Sequence, residues 1–232
     1  MPRKLFHLTV VAARKRDLVL AWERLGFAVD PDRGCIALAD EVVLDFFAPD
    51  DGAPVCVEEL QPRAFLAHFA TRRSGVALFS LDSAGPARSE PLFGAEAYVR
   101  LAPQTFLPAP GEANGVRGLL ALVAVAENPA DHGEALAPLT GQREMRATSA
   151  GLEIPLAGGT RLDILTPAAF AFRFGAPAPE TGSFRLGGLV FAVDRLEDTQ
   201  KFFARANVAV VRQGERLLAG VCEGVAVAFE QN

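Results

Sequence analysis

Residues 5–29, LFHLTVVAARKRDLVLAWERLGFAV, and residues 186–211, LGGLVFAVDRLEDTQKFFARANVAVV, are two statements of one pattern. Each opens on an aliphatic, β-branched run that reads as a buried strand. Each then crosses a polar step, Arg16-Asp17-Leu18 or Asp194-Arg195-Leu196, into apolar residues at helical spacing. Leu18, Ala21, Trp22 and Leu25 mark the first helix, with Asp17 placed to cap it; Leu196, Thr199, Phe202 and Phe203 mark the second. Gly26 stands where a glycine ends a helix. Both stretches leave through a turn into a second apolar run. A repeat at this scale governs how the rest of the chain is read.

Residues 27–29 start a second strand, Pro31-Asp32-Arg33-Gly34 is turn chemistry, and 35–38 with 41–47 form a hairpin. The order is β-α-β-β-β. Residues 62–72, PRAFLAHFATR, have a helical pattern, and residues 76–81 open a second copy whose helix is short or lost because Pro86 and Pro91 fall inside it. Residues 108–115 read as a linker. The third copy opens at 118–126, enters a helix at Asn128-Pro129 and leaves it at Gly141, then forms a hairpin from 153–156 and 161–165. Thr166-Pro167 caps another short helix bearing Phe170 and Phe174. The fourth copy closes with strands at 208–212, 216–221 and 225–230. The expected fold class is α+β: about four tandem βαβββ modules forming two curled, barrel-like sheets. An N-terminal domain would span 1–112 (modules 5–50 and 74–107) and a C-terminal domain 113–232 (modules 117–167 and 186–230).

At 232 residues the chain can bury a sizeable core, and with 50% hydrophobic and 22% charged residues it reads as globular rather than disordered. A net charge of −5 without a basic stripe argues against a nucleic-acid partner. No apolar run approaches the roughly 20 residues that span a bilayer, so no membrane association is expected. Arg3-Lys4 ahead of LFHLTVVAA has the look of a signal peptide, but the run holds a histidine, meets Arg14-Lys15-Arg16-Asp17 at once and makes a good first strand. Cys35, Cys56 and Cys222 are isolated, as suits buried reduced thiols. The reading is cytoplasmic, with monomer and homodimer both open. Nucleophile-elbow, phosphate-loop, dinucleotide and zinc-protease motifs are absent from the sequence.

Four such modules resemble the vicinal oxygen chelate superfamily, which includes glyoxalase I, extradiol dioxygenases and bleomycin-resistance proteins; the chain looks most like its glyoxalase-like domain proteins. The strand–Asp-Leu–helix–Leu-Gly-Phe stretch at 5–27, Leu162-Asp163-Ile164-Leu165-Thr166-Pro167, and residues 190–194 carry the likeness. The resemblance implies paired modules enclosing a pocket, with a divalent metal held by residues at the start of a first strand and near the end of a fourth. It assigns His7 and Asp45 as metal ligands and Glu230 as a ligand or general base. The corresponding first-strand positions of the other modules look like Ser74 or Gly75, Gly118 and Gly188, none of which supplies an imidazole, while Asp163 and Glu230 keep carboxylates at fourth-strand ends. A set of two histidines and one glutamate in the C-terminal half is therefore missing, and His7, Asp45 and Glu230 could meet only if modules 1 and 4 faced each other.

Each of these residues has a plainer reading. His7 can be a hydrogen-bonded structural histidine. Asp45, between Leu44 and Phe46, either faces inward and needs a partner or faces solvent. Asp163 and Glu230 share that choice, and His68 and His132 read as surface residues. Seventeen phenylalanines point to dry surfaces, core or pocket; Phe46, Phe191 and Phe229 are the candidates to line a pocket for a small apolar or aromatic ligand. The segment around Phe170 and Phe174 is either a lid or packing on a sheet, and Arg173 either anchors an anionic substrate or snorkels to water. Two functions follow: a metal-dependent lyase, isomerase or dioxygenase acting on a small oxygenated substrate, or a metal-free protein that binds or sequesters a small molecule.

Overall fold

The first strand of each module pairs with the first strand of the next, and this sets the architecture. A computed structural model describes residues 1–49, 63–93, 96–104, 107, 109, 111–180 and 183–231. Strands β1 (Leu5–Val11), β2 (Cys35–Ala37), β3 (Val43–Phe47), β4 (Gly75–Asp82), β5 (Arg88–Leu92) and β6 (Ala97–Ala102) form one sheet, ordered β2-β3-β1-β4-β6-β5. Strands β7 (Val116–Val125), β8 (Arg146–Ala147), β9 (Gly151–Pro155), β10 (Arg161–Leu165), β11 (Arg185–Val193), β12 (Val211–Gln213), β13 (Arg216–Cys222) and β14 (Val225–Gln231) form the other, ordered β12-β13-β14-β11-β7-β10-β9-β8. At the centre of each sheet two first strands run antiparallel, β1 with β4 and β7 with β11. Each is flanked in parallel by the last strand of its own module: β1 by β3, β4 by β6, β7 by β10 and β11 by β14. Both sheets are open.

Side-chain alternation then separates two environments. Leu8, Val10, Leu44 and Phe46 of the first sheet and Leu162, Ile164, Phe191, Val227 and Phe229 of the second join one large buried cluster. Helices α1 (Lys15–Arg24) and α5 (Leu196–Arg205) contribute Leu18, Trp22, Leu196 and Phe203 to it. Aromatic contacts tie the halves together there: Trp22 to Phe191 at 6.0 Å, Phe27 to Phe191 at 4.9 Å and Phe27 to Phe229 at 6.4 Å between ring centroids. The outward faces are covered separately. Helix α2 (Arg63–Arg72) lays Leu66 and Phe69 on Val11, Phe47 and Leu78. Helix α4 (Pro167–Phe174) lays Phe170 and Phe174 on Val123, Val190 and Ala228.

Several local expectations are corrected. Residues 27–29 form no strand; Asp30 makes a single bridge to Cys35 because its carboxylate accepts the Asp32 and Arg33 amides at 3.0 Å each, turning the chain ahead of Pro31. Asp17 sits in the first turn of α1, beside the positive end of the helix, while Arg14 holds the cap position. Thr166 does cap α4, accepting from the Ala169 amide. Residues 129–132 form a 3-10 turn leading into α3 (Gly133–Thr140). Within that turn His132 is buried, not exposed, with Phe93 at 4.3 Å and Phe184 at 5.3 Å. His68 is exposed. Cys35 and Cys222 are buried, and Cys56 lies outside the described residues. Among the described residues no helix is long and apolar enough to cross a membrane.

The halves touch backbone to backbone where the β13–β14 turn meets the start of β4. Gly224, at φ +78°, has no room for a Cβ because the Ser74 carbonyl oxygen occupies that space. Gly224→Ala should therefore lower stability by about 1–3 kcal/mol in urea denaturation, while Gly85→Ala, with nothing nearer than 3.8 Å, should change little. Burial pulls the His132 pKa below 6.5. The unfolded chain then binds the extra proton, so the stability contribution is complete above the unfolded value and is lost as pH falls through the folded one. Urea midpoints should drop as pH falls below about 6.5, and by less in His132→Phe.

Candidate functional site

The face of the first sheet that α2 covers carries a buried polar group. On β1 the outward positions are His7, Thr9 and Val11, on β3 Asp45 and Phe47, and on β4 Ser80. Thr9 stands opposite Asp45 and His7 opposite Ser80. Asp45, Thr9 and Ser80 are 0% exposed and His7 4%. His7 Nε2 lies 3.7 Å from Asp45 Oδ2, and its Nδ1 lies 3.4 Å from Ser80 Oγ. Neither oxygen of Asp45, nor His7 Nε2, nor the Thr9 hydroxyl has a hydrogen-bond partner among the described residues. A buried carboxylate in that condition costs several kcal/mol unless a proton, a water or a cation completes it. Arg100, opposite Ser80 on β6, shares the face.

On the matching face of the second sheet the carboxylates are paired with arginines, although Asp163 Oδ1 and the Arg173 Nε and Nη2 atoms have no hydrogen-bond partner among the described residues. Asp163, fully buried, receives Arg173 at 2.6 Å and Arg161 at 2.9 Å on one oxygen. Glu230 receives Arg216 at 2.6 Å, with Arg173 at 3.7 Å and Arg161 at 3.8 Å. Three guanidinium groups thus face two carboxylates, a net positive charge that repels a further cation. Arg173 comes from α4, whose rings are seated on two glycines of β11. A Cβ on Gly188 would lie 2.6 Å from the Phe174 ring, and one on Gly187 2.8 Å from Pro179 and 3.3 Å from Phe170. The helix fills the face that the carboxylates occupy.

Strand register relocates the counterparts of His7. His7 pairs with Val43, two residues before Asp45. Two residues before Asp163 and Glu230 stand Arg161 and Ala228, which pair with Ala121 and Val190. In the second module Tyr98 pairs with Leu78. Leu78, Ala121 and Val190, rather than Gly75, Gly118 and Gly188, are thus the equivalent positions, and none supplies an imidazole. Gly118 and Gly188 answer to packing: a Cβ on Gly118 would strike the Asp40 carboxylate, whose Oδ2 accepts the Leu119 amide at 2.7 Å and fastens one half to the other. Burial raises the pKa of Asp40.

The residues singled out in the sequence divide accordingly. His7 and Asp45 come together on the first sheet. Glu230 lies on the other sheet among arginines, because modules 1 and 2 share a sheet and modules 3 and 4 share the second. Arg173 is committed to Asp163 and Glu230. Phe46, Phe191 and Phe229 are each 0% exposed and sit in the core between the sheets, on the opposite face from Asp45 and Glu230, since neighbours in a strand point opposite ways. Thr9, Ser80 and the paired arginines Arg161 and Arg216 went unread. The two-residue steps Arg161–Asp163 and His7–Thr9, each placing both side chains on one face, were the available signal. Among the described residues no group of three or more His, Cys, Asp or Glu side chains is placed to hold a metal ion.

No family model matches the chain, and no curated protein is significantly similar to it. Solved structures do share its fold. A xylose isomerase-like TIM barrel/4-hydroxyphenylpyruvate dioxygenase fusion protein aligns over 100% of this chain with a TM-score of 0.60 and 10% identity; this chain spans 49%, about half, of that protein. A triple mutant of 4-hydroxymandelate synthase from Streptomyces coelicolor aligns over 99% of this chain and 92% of its own, with a TM-score of 0.62 and 12% identity. BphC, a halotolerant catechol dioxygenase, aligns over 100% and 87%, with a TM-score of 0.58 and 10% identity.

If the second sheet's carboxylates are consumed by its arginines, removing one guanidinium must strand a buried charge. Arg173→Met should destabilise the protein by about 3 kcal/mol in urea denaturation. Adding Asp163→Asn should recover part of that loss, a non-additivity measured by the double-mutant cycle.

Proposed function

From a chain with the vicinal oxygen chelate fold and only fragments of a metal-binding donor set, we propose a diverged small-molecule-binding protein. It holds a small, apolar or aromatic oxygenated molecule, and its C-terminal half carries out no metal-dependent turnover. The observation that carries this reading is the covered face of the second sheet. Asp163 and Glu230 occupy fourth-strand positions, yet Arg161, Arg173 and Arg216 neutralise them and the α4 rings cover them. A divalent metal does not fit there: three guanidinium groups face two carboxylates, so the group already carries excess positive charge, and Asp163 Oδ1 is the one oxygen of Asp163 left without a hydrogen-bond partner.

The first sheet supports a second reading, carried by its unpartnered atoms. His7 Nε2 and Asp45 Oδ2, 3.7 Å apart, and the second Asp45 oxygen are buried and unpartnered, and a divalent cation would satisfy them together. Such an ion would polarise a substrate's oxygen, in the manner of a lyase, isomerase or dioxygenase. Ser80 at Nδ1 would orient the ring so that Nε2 faces the ion, as an outer partner commonly does for a ligating histidine. Asp45 would supply the negative charge. The fold of the dioxygenase and synthase structures is compatible with this chemistry and does not select it.

Metal content separates the two. Protein purified without chelator and without a polyhistidine tag should contain far less than one divalent ion per chain by plasma mass spectrometry. Near-stoichiometric metal that disappears in His7→Ala would replace the first reading with the second.

A further inference from the structure

At the edge of the α4-covered face of the second sheet, a cleft of about 730 Å³ opens between the halves. One wall is the end of α2, with Arg72 and Arg73, and Glu96 before β6. The other is the start of β11, with Arg185 and Gly187, and the β13–β14 turn. Phe170, Pro179 and Ala226 give it an apolar floor. The Gly224–Ser74 backbone contact fixes the spacing of the walls, because neither side of it has an atom to give. The volume lies within the range of small-molecule pockets.

The cleft is lined by Arg72, Arg73 and Arg185 against Glu96 and Glu180, so one positive charge is left in excess. Arg73 is spent on Glu96, with Nη2 at 2.6 Å from the carboxylate and 3.2 Å from its backbone oxygen. Arg185 donates to the Glu180 backbone carbonyl at 2.7 Å, and no carboxylate among the described residues lies in ion-pair range of Arg185 or Arg72. Burial first, and then the neighbouring Arg73 charge, lower the pKa of Arg185 against the opposing attraction of Glu96 and Glu180. A half-buried guanidinium held beside another cation is completed by an anion, and its planar fork suits a carboxylate.

We propose that this cleft binds a small organic carboxylate, its carboxylate on Arg185 and Arg72 and its apolar body over Phe170, Pro179 and Ala226. The assignment gives the small-molecule-binding reading a ligand class and a location. It is tested by ligand titration alone, so a result on metal content bears on that reading and leaves this one standing.

The probes are 2-naphthoate and its neutral amide, 2-naphthamide, titrated into the full chain by calorimetry. Naphthoate should bind saturably at one site and naphthamide roughly tenfold or more weaker, the loss expected when a charge-assisted pair is removed. Arg185→Gln should weaken naphthoate by a similar factor. Arg72→Ala, at an exposed helix end where folding is not at stake, should weaken it severalfold. Trp22 fluorescence should stay native in both variants. Equal affinity for acid and amide, unchanged affinity in both variants, or no saturable naphthoate binding would overturn the assignment; so would inorganic phosphate competing as well as naphthoate, which would mark an anion site without an apolar subsite.

Discussion

A phenyl ring resting on a strand that has no side chain beneath it decides what this protein can do. Phe174 occupies the space over Gly188, and Phe170 crowds Gly187, so α4 lies flat on the second sheet. That seating delivers Arg173 to Asp163 and Glu230. Had β11 carried alanines there, the rings would be pushed off, the arginine would withdraw, and two acidic side chains would line an open face. Packing and electrostatics in this half are one arrangement: the glycines admit the helix, and the helix neutralises the acids.

The two halves apply the same plan with different outcomes. In each, two first strands meet antiparallel, a short helix covers the outward face, and an acid stands near the end of a fourth strand. Above the second sheet the acids meet three guanidinium groups. Above the first, Asp45 meets a histidine at 3.7 Å and no hydrogen-bond donor among the described residues. The molecule therefore holds, at equivalent positions, one acid pair charge-matched by arginines and one acid without a guanidinium partner among the described residues. The cleft between the halves adds volume and positive charge at the edge of the second sheet's α4-covered face.

Much of this was legible in the residues. The repeat at 5–29 and 186–211 announces the modules because a buried strand, a polar step and an amphipathic helix each leave a strong periodic trace. The Thr166 cap and the loss of the second module's helix were readable for the same local reasons. What escaped depended on which residues face one another. Phe46, Phe191 and Phe229 were candidates for a pocket, but each neighbours an acid in its strand or stands across from one that does, and alternation sends the rings into the core. Glu230 looked like a partner for His7 until pairing put modules 1 and 2 in one sheet. Gly118 and Gly188 occupied what looked like ligand positions, whereas they make room for Asp40 and Phe174. His132 carries a polar side chain in a short turn, and only tertiary contacts with Phe93 and Phe184 bury it.

The central claim is that α4 is a permanent part of the second sheet's packing rather than a lid that opens. Native-state amide hydrogen exchange tests it directly. Amides in the last turn of α4, through Phe174, should exchange as slowly as those of β11 and β14 beneath them, because releasing the helix would expose two rings and strand Asp163. Exchange of α4 orders of magnitude faster than that of those strands, with the sheet still protected, would show a helix that swings free and would contradict the account.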